Sequence, residues 1–143
     1  MGHSWFSYVC YITCYIKKNK CIMKNLFLVF IGGGLGSICR YLIERITFFN
    51  YFKFPINTIF ANVIGCFILG FFLGKLFQNE SLNSNHSLLI ATGFCGGLTT
   101  FSAFANENVS MIKSGDIYSF LLYTFLSIIF GFLSIFIGMY LSR

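Results

Sequence analysis

Four long apolar stretches dominate this sequence and constrain its fold more than any other feature. They cover residues 26–46, 56–77, 88–111 and 117–141, with short polar connections between them. A helix needs about 20 residues to cross a hydrocarbon core of roughly 30 Å. Only 10% of the chain is charged, whereas soluble domains carry about a quarter. The sequence therefore predicts an all-α integral membrane protein with four transmembrane helices.

The net charge of +6 does not indicate a nucleic-acid protein. Several cations form one N-terminal cluster, Lys17, Lys18, Lys20 and Lys24, rather than a stripe interleaved with aromatic residues. Such a cluster suits anionic lipid headgroups, so we expect a lipid bilayer and no nucleic acid as partner.

The six cysteines predict neither a disulfide framework nor a metal cluster. No CxxC pair occurs, and Cys39, Cys66 and Cys95 fall inside apolar spans. Cys10 and Cys14 stand four residues apart, but no nearby histidine or acid completes a ligand set. We interpret the cysteines as small apolar residues.

Residues 1–22 are interpreted as an N-terminal extension, and residues 23–143 as the four-helix domain. The apolar run 5–16 is too short to span a bilayer, and no small-residue cleavage site follows it. Met23 stands directly before the first span, so we expect the natural start of translation there.

The cations that flank the spans predict the topology. Counted from Met23, three lie on the N-terminal side and three on the opposite side: Lys24, Lys75 and Arg143 against Arg45, Lys53 and Lys113. This balance removes the positive-inside bias, so the chain is expected to insert in both orientations and to allow an antiparallel dimer. Counted from Met1, the extension makes the ratio six against three and fixes one orientation.

The third stretch contains a run that is a poor helix former. Gly96 and Gly97 precede Thr99 and Thr100 in the middle of the span, and glycine and β-branched residues both disfavour helix. We predict that the third helix breaks there in the membrane, where freed carbonyls attract cations and a new helix N-terminus attracts anions. A glycine-softened kink with threonine hydroxyls bonded to the preceding turn is the alternative.

Several polar residues inside the spans are candidates for an ion pathway. Asn62 must find a partner or face a polar path, and Glu107 is expected to find a hydrogen-bonding partner or stay protonated. Arg40 and Glu44 have the spacing of an ion pair. In the last span, Tyr123 and Ser127 belong to a small, polar stripe and can donate hydrogen bonds to an anion.

Three motifs resemble those of the CrcB/Fluc family of fluoride channels. GFCGGLTTFSAF at 93–104 is similar to the family pattern GxxGGxTTFSTF, GGGLGSICRY at 32–41 resembles the first-helix motif, and NVIGCFILG at 62–70 resembles NxxGxFxxG. The likeness runs in order from Met23 to Arg143 at matching spacings. Ala103 replaces the usual threonine, which removes one hydroxyl beside the phenylalanines.

The resemblance implies a passive channel that exports cytoplasmic fluoride across the cell membrane. It also implies an antiparallel, dual-topology homodimer with a structural sodium ion held by the backbone carbonyls of Gly96 and Thr99. It further implies a fluoride path, whose residues would be Asn62, Phe101, Ser102, Phe104 and Ser127.

Other functions remain as alternatives. A small dual-topology multidrug exporter needs an acid embedded in the first span, where only Glu44 occurs, at the end and beside Arg45. An enzyme is not expected, because His3 and His86 lie outside the spans and no nucleophile–histidine pairing is visible. A packing subunit without transport activity is a third alternative.

Overall fold

The computed structural model describes the backbone of residues 3–45, 54–78 and 84–142 and the side chains of residues 22–45, 54–76 and 85–142. The lysine side chains at positions 17, 18 and 20, those of Cys10, Cys14 and Cys21, and residues Lys53 and Arg143 lie outside that part. Expectations that rest on them are therefore not addressed by the structure.

The described part of the chain is entirely helical. The helices are α1 (His3–Arg45), α2 (Ile56–Gln78), α3 (Ser84–His86), α4 (Gly96–Leu98), α5 (Phe101–Lys113) and α6 (Ile117–Leu141), with a π-helical segment, Ser87–Cys95, between α3 and α4. No strand occurs among these residues.

Four candidate membrane spans result, at Ile22–Arg45, Ile56–Leu76, Ser87–Lys113 and Ile117–Leu141. They agree with the four apolar stretches of the sequence to within a few residues. Large apolar side chains are exposed along them, for example Phe30 and Phe125. Such surfaces suit a hydrocarbon solvent, so the chain is a multi-pass membrane protein.

Two pairs of packed helices build the fold. The first span packs against the π-helical segment and α4, and α2 packs against α6. Small residues allow close backbone approach in both pairs: a Cβ at Gly36 would overlap the Phe94 carbonyl oxygen, and one at Gly70 would overlap the Ile135 carbonyl oxygen.

The third span is interrupted by two extended residues. Thr99 has φ −79° and ψ 152°, and Thr100 has φ −146° and ψ 113°. The sequence predicted that the third helix breaks at this point, but the joined helix is bent by only 19°, so a broken helix is not confirmed and stays a prediction. The interruption is therefore a local change of backbone hydrogen bonding with little change of direction.

Candidate functional site

A cavity of about 440 Å³ lies between the second, third and fourth spans. Its wall combines residues of α2, the π-helical segment, α4, the extended residues Thr99 and Thr100, α5 and α6. Its lining includes Asn62, Cys66, Cys95, Gly96, Thr99, Phe101, Phe104, Ser127 and Gly131. The cavity is mostly apolar with a few polar groups, which is the usual character of a small-molecule or ion site.

Asn62 determines the backbone hydrogen bonding at the interruption. Its Oδ1 accepts from the Thr100 N–H at 2.7 Å, and its Nδ2 donates to the Thr100 carbonyl at 3.4 Å. In an uninterrupted α-helix the Thr100 N–H would donate to the Gly96 carbonyl. The bond through Nδ2 is long, so this amide retains the capacity to donate to a bound anion.

The threonine side chains satisfy the ends of the two flanking helices. Thr99 Oγ1 and Thr99 N–H both donate to the Cys95 carbonyl, at 2.8 and 3.0 Å. Thr100 Oγ1 caps α5 by accepting from the Ala103 N–H at 3.2 Å. The Ala103 N–H would otherwise donate to the Thr99 carbonyl. As the alternative to a helix break, the sequence suggested threonine hydroxyls bonded to the preceding turn. The Thr99 hydroxyl makes such a bond, to the Cys95 carbonyl, directly beside the interruption.

The aromatic side of the cavity consists of Phe101 and Phe104. Their ring centroids are 5.8 Å apart with the planes tilted by 42°. Phe104 also contacts the ring of Tyr123, at 5.2 Å between centroids. Phe101 is 79% exposed, so one side of this pair lies at the surface of the chain.

Ser127 lines the cavity from α6, and its buried Oγ has no hydrogen-bond partner among the described residues. Ser102, in contrast, lies outside the lining. Its Oγ is 3.3 Å from Thr100 Oγ1, and the side chain is exposed.

Tyr123 does not have the role that the sequence suggested. It is fully buried, and its hydroxyl donates to Glu107 Oε2 at 2.5 Å. Thr58 Oγ1 donates to the other carboxyl oxygen, Glu107 Oε1, at 2.6 Å. The prediction that Glu107 finds a hydrogen-bonding partner is confirmed. Thr58 was not among the candidates from the sequence, although it stands one helical turn before Asn62 on the same face of α2.

The expected ion pair between Arg40 and Glu44 is absent from the described part of the chain. Arg40 Nε is buried and has no hydrogen-bond partner there. The Glu44 backbone carbonyl instead accepts from Asn57 Nδ2 at 3.4 Å. The helical spacing permitted the pair, but the two side chains do not meet.

Comparisons with known proteins identify relatives along most of the chain. Residues 27–139 match the family model described as CrcB-like protein, Camphor Resistance (CrcB). A protein of Gloeothece citriformis named fluoride-specific ion channel FluC is 42% identical over 122 residues, which cover 85% of this chain and 98% of that protein. Proteins of the same name from Azobacteroides pseudotrichonymphae and Aquifex aeolicus are 37% and 35% identical, with the same shares covered.

Proposed function

The chain belongs to the CrcB-like family, and from this premise we propose that it is a fluoride-specific channel of the cell membrane through which cytoplasmic fluoride leaves passively. One observation supports assigning the fluoride path to particular residues. Asn62, Phe101, Phe104 and Ser127 come from three different spans and line one cavity. The relatives bear the name of channels, and we assign no catalytic role to this chain.

Weak donors at the cavity wall are suited to conducting fluoride. The Asn62 amide and the Ser127 hydroxyl supply conventional hydrogen-bond donors. The rings of Phe101 and Phe104 carry a positive edge, which can face an anion. No single contact is strong, and an ion must be able to leave a conduction site as readily as it enters. Ser102 stays a proposed contact of the fluoride path, although it is exposed and lies outside the cavity lining.

We further propose that the channel is an antiparallel homodimer. Two features of the chain support a partner surface near the interruption: Phe101 is 79% exposed, and apart from the backbone around Gly96 itself no described atom lies within 4 Å of the place that a Cβ on Gly96 would occupy. The balance of flanking cations counted from Met23 supports insertion in both orientations. A partner that covers Phe101 would complete the wall of each fluoride path.

The interruption fits the sodium site proposed at Gly96 and Thr99. The N–H groups that would bond these two carbonyls in a continuous helix donate to Asn62 Oδ1 and Thr100 Oγ1 instead. Carbonyl oxygens released in this way are hard ligands suited to an alkali cation. When bound, sodium would supply a positive charge that joins the two subunits, and it would not be transported.

The rival multidrug exporter finds less support. Such a protein needs a membrane-embedded carboxylate that is available to a cation. The Glu107 carboxyl group, on the third span, is bonded at both oxygens, by Thr58 and by Tyr123. The described residues that line the cavity include no carboxylate.

Fluoride efflux from liposomes that contain only this protein tests the proposal. We expect rapid efflux of fluoride, little efflux of chloride, and loss of fluoride efflux in Asn62→Ala. A protein that is folded and inserted but passes no fluoride would refute the proposed function. Proton-coupled uptake of a cationic dye in the same liposomes would favour the exporter.

A further inference from the structure

Phe54 lies outside the cavity lining but is connected to it through one intermediate ring. The centroids of the Phe54 and Tyr123 rings are 5.5 Å apart with the planes at 89°, which is an edge-to-face contact. Tyr123 in turn contacts Phe104, at 5.2 Å between centroids, and Phe104 lines the cavity. Phe54, Tyr123 and Phe104 thus form a continuous row of rings from the start of the second span to the cavity.

The backbone holds Phe54 at the start of α2. Pro55 follows it, and a residue before proline is restricted to extended conformations. The Ile56 N–H donates to the Phe54 carbonyl at 2.8 Å, so a tight turn joins Phe54 to the first residue of α2. The Phe54 side chain is half-buried. Its position is therefore tied to the second span.

The hydrogen bond of Tyr123 does not by itself fix the plane of its ring. The hydroxyl donates to Glu107 Oε2 at 2.5 Å, and the hydroxyl oxygen lies on the long axis of the ring. Rotation of the ring about that axis, the χ2 torsion, leaves the oxygen in place. Because χ2 of tyrosine has a broad, roughly twofold profile, neighbouring side chains must select the ring plane. The edge-to-face contact with Phe54 is a contact of this kind.

The plane of the Tyr123 ring bears directly on Phe104. The two planes are tilted by 38°, and Tyr123 is fully buried. The other ring in contact with Phe104 is that of Phe101, which is 79% exposed and gives less support. The direction in which the positive edge of Phe104 faces therefore depends mainly on Tyr123.

We propose that Phe54 is a positioning residue of the fluoride path. Its contact with Tyr123 selects the plane of the Tyr123 ring, and that plane sets the direction of the Phe104 ring edge in the cavity. The link to conduction rests on the proposed fluoride function, whereas the positioning of Phe104 does not. Loss of the Phe54 ring should leave the cavity lining intact and allow Phe104 more than one orientation.

Fluorine NMR reads the orientation of Phe104 without any ion flow. 4-Fluorophenylalanine is introduced at position 104 of the full chain by amber suppression, and spectra are recorded in fluoride-free detergent buffer. We expect Phe54→Leu to shift or split the signal, and Phe54→Tyr, which keeps the ring, to leave it close to that of the unsubstituted chain. In Tyr123→Leu, which lacks the intermediate ring, Phe54→Leu should cause no further change.

Fluoride efflux from liposomes tests the consequence for conduction. We expect efflux to fall by about two- to tenfold in Phe54→Leu, the factor that corresponds to one aromatic pair, and to be retained in Phe54→Tyr. Phe71→Leu is the matched control. Phe71 is also an aromatic residue of the second span, with its ring stacked on Phe67 at 6.5 Å, but it lies outside the cavity lining. Its substitution should change neither the fluorine signal nor the efflux.

The two measurements separate failure of this inference from failure of the proposed channel. An unchanged fluorine signal in folded Phe54→Leu would overturn the positioning role, as would an equal change in the Tyr123→Leu background. A changed signal with unchanged fluoride efflux would overturn the link to conduction. An unsubstituted protein that passes no fluoride would refute the channel function, and the fluorine signal would still decide whether Phe54 positions Phe104. Phe54→Met, which also lacks a ring, replaces Phe54→Leu if that variant fails to fold.

Discussion

The Asn62 side chain replaces a helical backbone carbonyl as the partner of Thr100. Oδ1 of Asn62 accepts from the Thr100 N–H at 2.7 Å, a donor that a continuous helix would direct to Gly96. One side chain on the second span thus stabilises the interruption of the third. It also takes away the donor that a continuous helix would bring to the Gly96 carbonyl, so the proposed anion path and the proposed sodium site share a single structural cause.

Asn62→Ala should therefore affect both stability and flux. The variant leaves the Thr100 N–H without its acceptor in an apolar surrounding, which costs about 1–3 kcal/mol in free energy of unfolding. It also removes the amide donor from the cavity, so fluoride efflux from liposomes should fall sharply. Chemical unfolding in detergent and efflux measurements test the two effects separately.

Ser134→Ala is the matched control for Asn62→Ala. Ser134 Oγ donates to the Val63 carbonyl at 2.8 Å and likewise joins two helices, but Ser134 is not in the cavity wall. We expect a loss of about 1 kcal/mol in stability with efflux preserved. Equal efflux in Asn62→Ala and Ser134→Ala would contradict the role assigned to Asn62.

Tyr123→Phe should destabilise the protein through Glu107. The substitution removes the hydroxyl that donates to Glu107 Oε2 but keeps a ring of nearly the same size against Phe104. A carboxyl oxygen that loses a buried donor costs about 1–3 kcal/mol, which unfolding experiments can measure. Tyr118→Phe is the control, because Tyr118 is 77% exposed and its change should stay within about 0.5 kcal/mol. Equal stabilities of the two variants would exclude a structural role for the Tyr123 hydroxyl.

The spans were predictable from the sequence because they depend on local composition. A helix of bilayer length needs only enough consecutive apolar residues, and the last predicted span, 117–141, has the bounds of α6, Ile117–Leu141. The sequence also predicted a break of the third helix near Gly96, Gly97 and the two threonines, which are poor helix formers; the structure has extended backbone at Thr99 and Thr100, and a broken helix stays a prediction. Its small bend was not visible, because the direction of α5 depends on packing with other helices.

The hydrogen-bond partners in the site could not be predicted from the sequence. The stripe of small and polar residues in the last span predicted that Tyr123 and Ser127 are equivalent hydrogen-bond donors to an anion. Tertiary packing separates them: the Tyr123 residue is fully buried and its hydroxyl donates to Glu107, whereas Ser127 lines the cavity from α6. The distinction depends on the rotation of α6 relative to α5, which a periodic pattern in one helix does not encode.

Orientation in the membrane should depend on where the chain begins. A protein that starts at Met23 has balanced flanking cations and should insert in both orientations. The chain that starts at Met1 adds Lys17, Lys18 and Lys20 and should favour one orientation, with its N-terminus in the cytoplasm. Accessibility of a C-terminal tag from each side of the membrane tests the expected orientations of both proteins. A single orientation for the protein starting at Met23 would argue against an antiparallel dimer.

Replacement of sodium by a bulky organic cation should weaken the channel. If Gly96 and Thr99 carbonyls hold sodium between subunits, its removal exposes unbonded carbonyls and lowers both dimer stability and fluoride efflux. N-methylglucamine keeps the ionic strength constant, and sizes of the detergent-solubilised complex report the dimer. Restoration of efflux by added sodium would confirm reversibility. Efflux and dimer stability that are indifferent to the exchange would remove the structural sodium site.

The last prediction concerns the rings of Phe101 and Phe104. If fluoride passes along their positive edges, Phe101→Ile and Phe104→Ile should each suppress single-channel fluoride current, because isoleucine keeps the hydrophobic volume but has no ring. If the rings only pack, an apolar replacement of similar size costs less than about 1.5 kcal/mol in stability and leaves the current largely intact. Phe136→Ile is the control, since Phe136 lies on α6, outside the cavity wall, and is 63% exposed. Near-normal current in folded Phe101→Ile and Phe104→Ile dimers would rule out conduction along the ring edges and leave Asn62 and Ser127 as the anion contacts.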